Sequence, residues 1–261
     1  MTNVINIFKN KSKYSKNIFY KSKDILENYG FIISKTYDPH AMLNLVIGGD
    51  GTFLKAVHDT NFTDIPFIGI NTGHLGFYQE IEVNEIESFA KALKNGSYFT
   101  EELTVLDSNV NRNHISCLNE VVVKSDRNQI VRLKVFIDGI FVENFQGDGL
   151  IISTPHGSTA YNLSAGGAIL HQSLKGFELT PIAPIYSNIN KSLKSPIVLP
   201  ENAIVDILVS RRDNYHTVFI FDGKEHQTKD YKISIKVSNK TIKKLILDNN
   251  HYWTNIKNKL L

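Results

Sequence analysis

Residues 43–51 constrain this chain more than any other segment. A compact apolar run, Leu43-Asn44-Leu45-Val46-Ile47, breaks at once into Gly48-Gly49-Asp50-Gly51, and Thr52 to Asp59 then reads as a helix. Strand, glycine loop and helix in that order belong to a parallel α/β layer. Amide groups that leave a strand toward a helix N-terminus form a cradle for an anion such as phosphate. Glycines permit positive φ and let a ligand approach the main chain. The aspartate is the unusual component, because a carboxylate repels phosphate. It makes sense if it takes a proton from an attacking hydroxyl or helps to hold Mg²⁺. The same residues also describe a tight turn in which Asp50 adopts a left-handed conformation.

The flanking segments extend the α/β rhythm. Val4–Phe8 reads as a strand, and Ser15–Tyr29 as a helix stopped by Gly30. Pro66–Ile70 reads as a strand entering the glycine-rich run Asn71–Phe77, and Val83–Leu93 as an amphipathic helix closing at Asn95-Gly96. Beyond residue 100 short strands follow one another: 104–110, 118–124, 131–137, 140–145, 150–153, 197–199, 203–209, 217–221, 231–237 and 241–247. Asp138-Gly139 is a type I′ hairpin signal. One helix, from about Thr159 to Leu170, interrupts them. The expectation is an α/β N-terminal domain over 1–100 and a β-rich, antiparallel, sandwich-like C-terminal domain over 101–261, with 248–261 able to pack back on the first. A chain of 261 residues has room for two modest domains.

Charge and composition narrow the function. Lys plus Arg number 29 against 26 Asp plus Glu, a net charge of +3. No basic run is long enough to track a nucleic-acid backbone, so no nucleic-acid partner is expected. No apolar stretch reaches the ~18 residues that span a bilayer. With no secretory leader and a single cysteine, the expectation is a cytoplasmic protein without a membrane partner. Cys117 reads as a buried thiol, and Lys257 and Lys259 as solvated surface charge. There is no G-x-x-x-x-G-K-[ST] and no G-x-G-x-x-G after a strand. The nine histidines are scattered, so no protein-built metal site is expected.

Two further segments concentrate polar chemistry. In Gly147–Gly167, small residues and hydroxyls crowd a strand-to-helix passage. Small residues make room for a flat ligand, hydroxyls can bond a base edge, and Tyr161 offers a face for stacking. A tightly packed crossover with a Ser or Thr helix cap would use the same residues. Asn119-Glu120 opens the apolar strand Val121-Val122-Val123. Glu and Asn suit a ribose diol, although adjacent strand residues face opposite ways unless the strand bends.

Taken together these segments resemble the NAD kinase family. The matching motifs are G-G-D-G-T at 48–52, T-G-H-L-G-F at 72–77, N-E at 119–120, G-D-G at 147–149, T-P-x-G-S-T-A-Y at 154–161 and A-G-G at 165–167. Gly-Gly-Asp-Gly alone also resembles phosphofructokinases and diacylglycerol-type lipid kinases; the segments in series point to NAD kinases. The resemblance implies Mg²⁺-dependent phosphoryl transfer from ATP or polyphosphate to the adenosine 2′-hydroxyl of NAD, giving NADP. It implies a site in the cleft between the two domains and a homo-oligomer, commonly a tetramer. Asp50 is implied as the catalytic base, with Gly49 and Gly51 in the loop beside the ligand and Phe77 packing against it. Asn119 and Glu120 are implied to contact ribose and phosphates, and Asp148 a nucleoside portion of NAD. Thr159, Ala160, Tyr161 and Ser164 are implied as the adenine-side wall, with Ala183 lining the same pocket. The chain departs from the family pattern at Gln146, where a basic residue is common, at His156, where a small hydroxyl residue is usual, and at Lys224, where glutamine is often found. The resemblance still implies ligand contact at Gln146 and His156. The rival readings are another kinase with the same loop acting on a lipid or a sugar phosphate, a catalytically silent dinucleotide-binding module, against which the intact Asp50 argues, and a structural β-rich scaffold, which leaves the Gly-rich segments unexplained.

Overall fold

The structure is a computed structural model. It describes residues 2–73, 76–110, 113–127, 129–186, 191–210, 213, 216–226, 232–248 and 251–260, with the backbone alone at 251. His74 and Leu75 of the 72–77 motif, and Tyr231 of the expected 231–237 strand, lie outside the described residues.

The chain divides into two compact units, one of residues 1–103 with 241–261 and one of residues 104–240. The first unit begins with β1 (Val4–Lys9), α1 (Lys13–Asn28), β2 (Ile32–Ile33), β3 (Leu43–Gly48), α2 (Asp50–Asp59), β4 (Phe67–Asn71), β5 (Gln79–Ile81) and α3 (Ile86–Asn95). Ser12 caps α1 by accepting from the Ser15 amide, and α1 buries Ser15, Ile18, Ser22 and Leu26 at helical spacing. Gly96, at φ 69°, closes α3 in the left-handed conformation that glycine adopts without steric cost. The strands run parallel in the order β2–β1–β3–β4, with β5 parallel to β4. Every residue of β3 is buried, as expected for a parallel strand covered on both faces.

β6 (Phe99–Val110) carries the chain into the second unit, followed by β7 (Asn113–Cys117), β8 (Glu120–Ser125), β9 (Val131–Ile137), β10 (Ile140–Gly147) and β11 (Gly149–Ser153). After a short α4 (Tyr161–Ser164) come β12 (Gly176–Ile182), β13 (Ile197–Pro200), β14 (Ile204–Val209), β15 (Thr217–Phe221), β16 (Lys224–His226) and β17 (Lys232–Ile246). One antiparallel sheet runs β13–β12–β11–β8–β15–β16. Another antiparallel run is β10–β9–β14–β17. Alternate residues of both meet in one core: Val121, Val123, Leu150 and Ile152 from the first, Leu133, Val135, Val205 and Ile235 from the second. That alternation is the signature of two packed sheets. Asp138 and Gly139 both have positive φ, at 51° and 78°, as the expected β9–β10 turn requires.

β17 is one strand where the sequence suggests two. It crosses from the second unit into the first near residue 240, and its Lys244 lies opposite Phe67 of β4. α5 (His251–Leu260) belongs to the first unit. The helix expected over 159–170 shrinks to a 3₁₀ turn at 157–159 and the single turn of α4. Two features stop it: Gly166 takes a φ of 87°, and the fully buried Asn162 side chain is bonded into β12. No helix among the described residues is long and apolar enough to cross a membrane.

Candidate active site

The first unit assembles its site residues at the carboxyl ends of β3 and β4, where open α/β sheets place ligands. Gly49 is the N-cap of α2 and Asp50 its first residue. Asp50 therefore has helical rather than left-handed geometry, and none of Gly48, Gly49 and Gly51 has positive φ. The glycines serve packing and access instead. A Cβ on Gly48 would collide with Thr52, whereas a Cβ on Gly49 or Gly51 would meet nothing within 4 Å. The Asp50 carboxylate is held by two main-chain donors from the segment before β5. Phe77 N–H donates to Oδ2 at 2.9 Å and Tyr78 N–H to Oδ1 at 3.1 Å. Tyr78 also stacks on Phe53 of α2, with ring centroids 4.6 Å apart and planes 9° from parallel. Gly76 has no room for a side chain, since a Cβ there would lie 2.7 Å from Asp50 Oδ1. Gly49, Asp50, Gly51 and Phe77 are thus neighbours.

Lys259 of α5 joins them. Its Nζ donates to the Gly76 carbonyl and lies 4.9 Å from the centre of the Phe77 ring. Lys257 is exposed, as expected of a solvated charge; Lys259 is only partly exposed, and that expectation fails for it. Burial pulls the Lys259 pKa down, opposed chiefly by the charge of Asp50. Nothing local in the sequence marks this residue, because the contact joins positions 183 apart.

In the second unit the Asn119-Glu120 pair is gripped by Asp222. That carboxylate accepts from the amides of Leu118 and Asn119, each at 2.7 Å, and of Glu120 at 3.3 Å. Asp222 sits at a φ of 46° in the β15–β16 turn. Sequence reasoning missed its role. Glu120 is 7% exposed, and burial together with the Asp222 charge pushes its pKa up to about 8. Its Oε2 has no hydrogen-bond partner among the described residues. Gly157 lies directly on the Asn119 main chain, leaving no space for a Cβ. Thr154 ties this crossing together, donating to the Leu118 carbonyl at 2.7 Å and accepting from Gly157 N–H at 3.0 Å.

Asp148 and Tyr161 are both exposed and line one cavity of about 380 Å³ together with Lys124, Arg127, Gln129 and Ile182. Lys124 and Arg127 place two cations on its wall beside the Asp148 carboxylate, a feature the motifs had not suggested. Thr159 and Ala160 are half-buried beside Tyr161, and Ser164 is exposed one turn on. Beneath them Asn162 Nδ2 donates to Glu178 at 2.7 Å, and Thr180 donates to Asn162 Oδ1 at 2.6 Å. Ala183, exposed and at a φ of 44°, lies against Gly147, where its carbonyl would be 2.8 Å from an added Cβ. Gln146 is half-buried and its main-chain N–H donates to Ser192 Oγ at 3.3 Å. His156 is 5% exposed, so its ring has little surface to offer a ligand; the same holds for Asn119 at 7%. Among the described residues no group of three His, Cys, Asp or Glu side chains could hold a metal ion.

Comparison with known proteins bears on the whole chain. The ATP-NAD kinase N-terminal domain matches residues 8–98, and the ATP-NAD kinase C-terminal domain matches residues 118–248. The chain belongs to the NAD kinase family. The NAD kinase of Finegoldia magna is 43% identical over 268 aligned positions, covering 99% of this chain and 98% of that protein. NAD kinase 2 of Bacillus subtilis is 34% identical, covering 91% and 90%. Among solved structures, yeast NADH kinase complexed with NADH superposes with a TM-score of 0.89 at 20% identity, over 99% of this chain and 87% of that one. An NAD kinase from Archaeoglobus fulgidus in complex with ATP gives 0.80 at 22% identity, over 98% of each. At those identities the structures establish a shared fold: an α/β N-terminal domain and an antiparallel β-rich C-terminal domain. Phosphorylation of NAD to NADP is the NAD kinase family's function. α5, with Lys259, lies beyond the stretch matched by the family's C-terminal domain.

Proposed function

We propose that this chain transfers the terminal phosphoryl group of ATP to the adenosine 2′-hydroxyl of NAD, giving NADP and ADP, with Asp50 as the general base. The observation that carries the reading is the Asp50 carboxylate itself. It stands at the N-terminus of α2, fixed by two main-chain donors, beside two glycines that leave the approach open. A carboxylate has about four acceptor positions. Two are used here, so the remaining lone pairs are available to a hydroxyl. As the 2′-oxygen bonds to the γ-phosphorus, its proton passes to Asp50 and the bond to the ADP oxygen breaks. Amides at the start of α2 and its dipole complement the negative charge that spreads over the transferred group. A positioned base contributes ~10²–10⁴-fold in rate.

Mg²⁺ suits this donor set as part of the nucleotide substrate, since it is usually held by phosphates, waters and one or two carboxylates. Asp50 is the carboxylate of this loop, and the ion would neutralise triphosphate charge. The cavity of Asp148 and Tyr161, with Lys124 and Arg127 on its wall, suits the nucleoside and phosphate parts of a dinucleotide. Polyphosphate as an alternative donor, a homotetramer and a cytoplasmic location accompany this reading as family expectations. The test is NADP formation from purified protein, Mg-ATP and NAD beside Asp50→Asn. Turnover by the wild type and loss of it in the variant support the reading. Wild-type turnover in Asp50→Asn refutes the base.

A further inference from the structure

The last turn of α5 delivers a cation to the segment that holds Asp50. Lys259 Nζ donates to the Gly76 carbonyl, and the next two residues, Phe77 and Tyr78, donate their amides to the two Asp50 oxygens. The same ammonium lies over the Phe77 ring at 4.9 Å, within the range of a cation–π contact. One side chain thus grips both the carbonyl and the ring at the start of the 76–78 segment. A Cβ on Gly76 would meet Gln79 Oε1 and Asp50 Oδ1, so the segment packs directly against the carboxylate. A partly desolvated ammonium is an expensive choice for packing alone, because burying charge is unfavourable where an apolar side chain would serve.

We propose that Lys259 is a positioning residue for phosphoryl transfer, clamping the 76–78 segment so that Phe77 and Tyr78 hold the Asp50 carboxylate in its reactive orientation. This rests on Asp50 being the base. A misplacement of about 1 Å at a reacting group can cost on the order of 100-fold in rate. The charge and reach of lysine are both used: an arginine could still donate to the Gly76 carbonyl and stack on Phe77. A methionine keeps the length and loses both.

The test uses the intact chain with Mg-ATP and NAD, comparing wild type, K259M, K259R, D50N and the double variant K259M/D50N. Expected for K259M is a kcat lowered by about tenfold or more, with KM for NAD within about threefold and the thermal midpoint nearly unchanged. K259R should recover most of that loss. K259M should add little to D50N, because residues acting through one group are not additive. A normal kcat in K259M overturns the clamp, as does a loss that K259R fails to restore while both variants fold. A raised KM for ATP at unchanged kcat also overturns it and makes Lys259 a donor-binding cation instead. If D50N turns over like wild type, the base assignment falls and the clamp with it. An inactive D50N beside a normal K259M removes the clamp alone.

Discussion

Replacing Lys244 with methionine probes the polar interior beneath β5. Lys244 on β17 is 2% exposed; its Nζ lies 2.5 Å from Glu80 Oε1 and 3.6 Å from Glu101 Oε2, and the Glu80 side chain is 1% exposed. Burial raises the Glu80 pKa, with Lys244 opposing and Glu101 adding to the rise. Removing one partner of a buried pair leaves an uncompensated charge and costs about 3–5 kcal/mol. At roughly 2–4 °C per kcal/mol for a protein of this size, the thermal midpoint should fall by about 6–20 °C. The sign of the pH dependence follows from Glu80. Without Lys244 its folded-state pKa rises further above the unfolded value. The folded variant is then least penalised below the unfolded value, where Glu80 is protonated in both states, and loses stability as pH rises through the folded value. K244M should therefore melt further below wild type at pH 8 than at pH 5. Adding Glu80→Leu should restore much of the loss, because an apolar replacement of a buried pair is often neutral. Thermal melts followed by circular dichroism at both pH values decide it. A K244M protein within about 1 kcal/mol of wild type, or equally destabilised at both pH values, would contradict a buried Lys244–Glu80 pair that matters to stability.

Three further substitutions test Glu120 and the glycines of the Asp50 loop. Glu120, with a folded pKa of about 8 against 4.5, stabilises the fold below pH 4.5, and this contribution is lost as pH rises through 8. At 1.36 kcal/mol per unit the effect is at most about 5 kcal/mol, and E120Q should flatten the fall in stability between pH 5 and 8 in urea titrations. An unchanged pH profile in E120Q would contradict the buried-acid assignment. Gly48 and Gly51 should separate packing from access. G48A places a Cβ against Thr52 and should cost about 1–3 kcal/mol, whereas G51A meets open space and should keep or slightly raise stability while turnover falls. Full activity in G51A would remove the argument that a ligand approaches the main chain there.

The chain yields its local features readily and its long-range ones poorly. The parallel layer around β3 and the Asp138-Gly139 hairpin were readable because each depends on residues close in sequence. The Gly48–Gly51 loop was readable as a strand-to-helix passage, but the reason for its glycines was not. Their φ angles are ordinary, and the requirement at Gly48 comes from the Thr52 side chain. β12 escaped notice because Glu178, Thr180 and Pro181 interrupt its apolar pattern. The two polar side chains are buried by bonding to Asn162, itself on the turn that truncates the expected helix. Asp222 was invisible as the holder of Asn119 and Glu120, since 103 residues separate Asp222 from Asn119. Lys259 looked like surface charge for the same reason. It meets the Gly76 carbonyl only because β17 returns the chain to the first unit.

Whether Asp50 is the base is decided by the rate of NADP formation by D50N beside wild type, with NAD binding measured on the same samples. D50N should still bind NAD and lose about 10²–10⁴-fold in turnover. Wild-type turnover by D50N would contradict Asp50 as the base, and absence of NADP from wild type with every phosphoryl donor, while NAD still binds, would contradict the kinase itself.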